Sequence, residues 1–210
     1  MAIPLADWLV PVTAFAVAMS GTPGPNNVMV AASGATFGFR PTVPHILGIA
    51  VGFPVMVGII ALGASEPLRT WPWLQQGLRW VGAAYLLWLA WHIARADPAV
   101  AEAEGQARAA RRGRPLTFVQ AALFQWVNPK AWVIAGGAVV TYVGGSGATF
   151  FAQAAGLVVI FLVATVICVS MWAGVGAGAA KVLRTAQAVR RFNMVMAGLL
   201  VLSLIPMFFE

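Results

Sequence analysis

Two short runs carry most of the polar chemistry in an otherwise apolar chain: Thr22-Pro23-Gly24-Pro25-Asn26-Asn27 and Asn128-Pro129-Lys130. Each couples a side chain able to cap a helix, Thr22 or Asn128, to a proline suited to a first helical turn. Such a run stops one helix and restarts another, leaving free backbone N–H groups at the positive end of the new dipole. A carboxylate fits that place. Lys130 adds a full positive charge, and Asn26, Asn27 and Asn128 add amide donors and acceptors. At the centre of a membrane helix a lysine costs roughly 2.5–3.5 kcal/mol. It then needs an anionic ligand, carbonyl partners or loss of its proton. Snorkelling to water is the competing explanation, although Lys130 follows Arg114 by 16 residues, about 24 Å of ideal helix. Proton coupling has two candidates, Lys130 and His45, since an imidazole titrates near physiological pH. An interfacial or packed role explains His45 equally well, and His92 reads as a solvated helix-end residue. Two distant histidines, the single Cys168 and the lack of intramembrane acids give no catalytic pair, metal site or cofactor site.

The elements that must hold these runs are membrane helices. The 210 residues are 60% hydrophobic and 9% charged, with mean hydropathy +0.84, too apolar for a water-facing globule. The net charge of +7 lies in short loops rather than on a basic helix, which argues against nucleic acid. The N-terminal apolar stretch has no preceding Lys or Arg and outruns a signal-peptide core, so it reads as a retained span. About 20 apolar residues cross the hydrocarbon. Six spans result: 8–33, broken at Gly21 to Asn27; 43–64, with Pro54 as a kink; 76–94; 116–142, broken at Asn128-Pro129-Lys130; 150–177; and 192–208. The turn Gly144-Gly145-Ser146-Gly147 divides an uncharged stretch too long for one crossing. The expected architecture is a single all-α transmembrane domain, 1–210. Repeat one covers about 1–95, a cytoplasmic loop about 95–115, and repeat two about 116–210.

Three helices per half invert the second half, and each half opens with a broken helix. That is the pattern of a secondary transporter built from inverted repeats, with its site at the breaks. Lys and Arg split ten to two between the sides, with Lys130 on neither, which puts the basic loops in the cytoplasm and both termini in the periplasm. Arg79 must then snorkel outward. Gly48 and Gly52, and Gly174, Gly176 and Gly178, read as close-packing faces. Cys168 reads as packed or lipid-facing, and the tryptophans as interfacial belts.

Several segments resemble one family. They are Thr22 to Asn27, then Ser33-Gly34-Ala35-Thr36-Phe37-Gly38-Phe39-Arg40 and Gly48-Ile49-Ala50-Val51-Gly52-Phe53. Further on come Gly82-Ala83-Ala84-Tyr85-Leu86-Leu87-Trp88-Leu89-Ala90 and Phe124-Gln125-Trp126-Val127-Asn128-Pro129-Lys130-Ala131. Together they look like the LysE/RhtB amino-acid exporters, over nearly the whole chain. The resemblance implies efflux of amino acids or close derivatives across the bacterial inner membrane, driven by the proton motive force. It points to Pro23, Gly24, Pro25, Asn26, Asn128, Pro129 and Lys130 as functional positions. Residues Gly82 to Ile93 are also similar to the cysteine/O-acetylserine exporter branch, but that motif is shared too widely to fix a substrate.

Substrate charge follows from the acids. Asp7, Glu66 and Glu210 lie at outer ends and Asp97, Glu102 and Glu104 in the long loop, none central to a span. A cationic substrate would lack a counter-charge, so small neutral amino acids are expected, their ammonium met by unwound carbonyls and Asn side chains. The partners are then substrate, protons and lipid, with a homo-oligomer left open. The alternatives are a channel or a structural membrane protein without transport activity; a membrane enzyme lacks its residues.

Overall fold

The computed structural model describes residues 5–64, 72–95, 114–182, 185–202 and 204, and among these it is all-helical. Helix α1 (Leu5–Gly21) ends before the two prolines, and α2 (Pro25–Phe37) restarts with Pro25 in its first turn. Gly38, at φ 86°, turns the chain into α3 (Phe39–Ile59). This helix runs through Pro44 and Pro54 and closes in a wide turn, Ile60–Ala64. Next is α4 (Pro72–Arg95). Then α5 (Phe118–Phe124), capped by the Thr117 hydroxyl and Gln120, tightens into a 3-10 turn, Gln125–Val127. Pro129 opens α6 (Pro129–Tyr142). The glycine-rich turn leads to α7 (Gly147–Val182), and α8 (Ala186–Leu202) follows.

Both expected breaks and the expected glycine turn are present. Among the described residues two helices, Phe39–Gly63 and Gly147–Ala179, are long and apolar enough to cross a membrane. The break divides the first expected span into 17- and 13-residue helices, and the fourth into helices of 7 and 14 residues. The last helix begins earlier than expected, so Arg190 and Arg191 sit on α8 rather than in a loop. Most of the expected loop 95–115, the Glu66 and Arg69 loop, Arg184 and the end of the chain lie outside the described residues. So do the side chains of Arg79, His92 and Lys181.

The main core joins α1 (Trp8, Val12, Ala16), α3 (Phe53, Met56, Val57), α6 (Ala131, Ala135, Ala138) and α7 (Leu157, Phe161, Ala164). Phe161 is fully buried and meets Phe53 edge-on at 5.2 Å between ring centres. Elsewhere α4 packs on α8 through Ala83, Ala90, Ala197 and Leu200. Without a hydrophobic drive between helices in lipid, small residues are what allow close packing. A Cβ on Gly48 or Gly52 would run into α5, at Phe118 and Ala121 or at Ala122. Gly34 and Gly176 do the same between α2 and α7, against Ala173 and Ala31. Of Gly174, Gly176 and Gly178 only Gly176 makes such a contact; Gly174 and Gly178 face open space, because a two-residue step turns to the far side of a helix.

Candidate functional site

The two breaks meet. Lys130, on the first turn of α6, reaches across to the end of α1. Its Nζ donates to the Thr22 carbonyl at 2.9 Å, the Pro23 carbonyl at 3.0 Å and Thr22 Oγ1 at 3.2 Å. Of the three ways to accommodate this lysine, carbonyl partners are the one present. The aliphatic stem lies over Gly24: an added Cβ there would stand 2.8 Å from Lys130 Cδ. Gly24 therefore gives Lys130 its route to the carbonyls. It is also the N-cap of α2, in extended backbone.

Expectation and structure part at Thr22. Its hydroxyl does not cap α2 but turns back to the Ala18 and Met19 carbonyls, at 2.9 and 3.0 Å. Pro25, not Pro23, occupies the first turn, because the extended Gly24 places the restart two residues later. Asn128 does stand at the N-cap of α6 with Pro129 following, yet its side chain makes no cap hydrogen bond. Both helix starts thus lack a side-chain cap; on α6 the Ala131 N–H already donates to the Asn128 carbonyl, and the N–H groups ahead of it can serve a ligand.

The other asparagines tie the breaks together. Asn26 and Gln125 exchange two amide hydrogen bonds, at 2.8 and 3.1 Å, across 99 residues of sequence. Gln125 also donates to the Ala121 carbonyl and is fully buried. Asn27 donates to the Ser20 and Thr22 carbonyls, both at 2.8 Å, which satisfies carbonyls that α1 leaves over. From α7, Trp172 Nε1 donates to the Gly21 carbonyl at 3.1 Å. Trp172, with Trp8 donating to the Tyr142 carbonyl and Trp132 to that of Trp126, spends its indole N–H inside the protein rather than at an interface belt. Cys168 is buried against the Val17 carbonyl, one of its two expected settings.

A cleft opens between the two breaks. Gly24, Pro25, Asn26, Asn27, Asn128 and Lys130 line it. Thr22, Pro23 and Pro129 are not on its wall; they shape the turns behind it. Ser20 and Thr165, whose hydroxyls lie 3.4 Å apart, complete the polar lining, and Met19, Phe53, Ile134 and Val169 the apolar one. Ser20, Thr165 and Gln125 were not expected. Thr165 sits within the long apolar α7, which gives no local signal, Ser20 lies one residue before the marked break, and Gln125 lay within a recognised motif without an evident partner. His45 is buried on α3, its Nδ1 unpartnered among the described residues, and does not line the cleft. Among the described residues no group of His, Cys, Asp and Glu could hold a metal ion.

The model of the LysE type translocator family matches residues 17–205. The cysteine/O-acetylserine efflux protein of Salmonella choleraesuis is 36% identical over 109 residues, 52% of each chain. That of Escherichia coli is 34% identical over 110 residues, again 52% of each. The chain spans about half the length of these curated relatives. No solved structure matches it. With the family pattern running through both breaks and nearly every described helix, the chain belongs to the LysE type translocators.

Proposed function

We propose that this protein is a secondary transporter of the bacterial inner membrane that exports small neutral amino acids or their derivatives. The carrying observation is that two helix restarts and Lys130 converge on one cleft. The α-carboxylate binds at the starts of α2 and α6, where uncapped N–H groups, the dipoles and Lys130 all favour an anion. Among the described residues no acid lines the cleft, so a cationic side chain finds no counter-charge there. Relatives named for cysteine and O-acetylserine efflux put those compounds, with serine and alanine, first among substrates to test.

Six crossings in two inverted repeats are part of the proposal. Packing supports it: α3 packs on α5 as α7 packs on α1, while α3 with α7 and α4 with α8 form pairs between the halves. This pattern survives exchanging the halves. Both termini then face the periplasm, and the proton motive force drives export. Lys130 is the better-placed proton-coupling residue because it lies in the cleft, whereas His45 acts from outside it.

The test is transport by purified protein in vesicles preloaded with labelled serine, cysteine or arginine. With the external pH below the internal, the neutral amino acids leave faster than from protein-free vesicles, saturably, and collapsing the gradient slows them. Flux that does not saturate points to a channel. Arginine leaving as fast as serine removes the charge argument.

A further inference from the structure

The carbonyl-rich end of α1 is the obvious place for a substrate ammonium, but each of these carbonyls already holds a donor. Asn27 holds the Ser20 carbonyl, Trp172 that of Gly21, Asn27 and Lys130 that of Thr22, and Lys130 that of Pro23. Of the three asparagines lining the cleft, Asn26 is paired with Gln125, and Asn27 is held in place by donating both amide protons to carbonyls of the first break.

Asn128 differs from both. It is 2% exposed, lines the same cleft, and its buried Oδ1 has no partner among the described residues. An asparagine at a helix N-cap ordinarily spends this oxygen on the N–H groups of the next turn; here it does not. Buried polar atoms are nearly always satisfied, so the vacancy calls for a donor from elsewhere. We infer that Asn128 Oδ1 accepts the α-ammonium of the substrate, while Lys130 and the start of α2 hold its carboxylate. The assignment rests on the export reading above and adds the atom that distinguishes an amino acid from a simple carboxylic acid. A neutral amide oxygen suits a zwitterion: it accepts from the ammonium without adding net charge to a site already containing Lys130. Shielded from water, such a bond is stronger than at a surface. The amide reaches the ligand by rotation about its soft terminal torsion.

The experiment is competition in vesicles containing the full-length protein, with labelled serine as the transported probe. Unlabelled serine is compared with 3-hydroxypropanoate, which keeps the carboxylate and hydroxyl but lacks the ammonium. In the wild type, serine competes at least about tenfold better, the range of a hydrogen bond to a charged group. In Asn128→Leu the two compete within about twofold, and in Asn128→Asp the preference for serine returns or grows. Weaker transport with the wild-type ratio kept in Asn128→Leu overturns the assignment, because a merely structural role weakens both competitors alike. Should Asn128→Leu not fold, a ratio in Asn128→Asp below that of the wild type overturns it. A wild type that moves no amino acid overturns the export reading itself, and the assignment with it.

Discussion

Gly52 is one of two glycines at which α3 lies against the backbone of α5, and Gly52→Ala tests how rigid that contact is. The added Cβ would stand 2.6 Å from Ala122 Cα, 2.9 Å from its Cβ and 3.0 Å from its carbonyl oxygen. Carbon atoms in contact prefer about 3.5–4.0 Å, so the helices must part by about 1 Å. Overpacking costs about 1–3 kcal/mol. Backbone cannot swing aside as a side-chain tip does, which favours the upper part of that range. Replacing a helical glycine by alanine returns about 1 kcal/mol, leaving a net loss of about 1–2 kcal/mol. For a chain of this length that lowers the unfolding midpoint by roughly 2–8 °C. Gly137→Ala is the control: on α6 its Cβ meets nothing within 4 Å, so the helix gain stands alone and the midpoint rises by a few degrees. Thermal unfolding in detergent, followed by tryptophan fluorescence, reads both. If Gly52→Ala is as stable as Gly137→Ala, the α3–α5 contact is not the tight joint described here.

Three further outcomes follow from the site. Gln125→Leu loses both bonds to Asn26 and leaves that amide unsatisfied, a loss of about 2 kcal/mol; adding Asn26→Leu costs less than the two single losses summed, as a double-mutant cycle in chemical unfolding measures. Lys130→Met folds, since removing a half-buried charge offsets part of the lost hydrogen bonding, but its export in the vesicle assay falls at least about tenfold. Thr165→Val removes a cleft hydroxyl while keeping the side chain's shape, so the preference for serine over alanine in competition falls severalfold.

What was legible in the sequence was the punctuation. Proline and glycine act on their own backbone and its neighbours, so Gly21 to Asn27, Asn128-Pro129 and Gly144 to Gly147 marked the breaks and the turn. Gly48 and Gly52 marked a close helix contact. The register of the first restart was not legible: two prolines two residues apart offer two starts, and the extended Gly24 selects Pro25. Side-chain partners were hidden for another reason. Asn26 meets Gln125 across 99 residues, Lys130 meets Thr22 across 108 and Trp172 meets Gly21 across 151. Such pairings are set by how whole helices stack, which no local window contains. Trp8, Trp132 and Trp172 misled because an indole N–H serves an interior carbonyl as readily as a lipid interface.

The interlacing of the two halves bears on how the protein is made. Helix α2 finds its closest neighbours, Ala173 and Gly176, on α7, and α3 finds Ala122 on α5. A growing chain that has delivered α2 must add about 110 residues before α7 begins, on the order of 5–20 s of synthesis. Through most of that interval the carbonyls of Thr22 and Pro23 lack Lys130, and throughout it that of Gly21 lacks Trp172. The nascent first half is therefore a polar gap held open in lipid, and a separately expressed first half should be a substrate for membrane quality-control proteases until the second half is supplied.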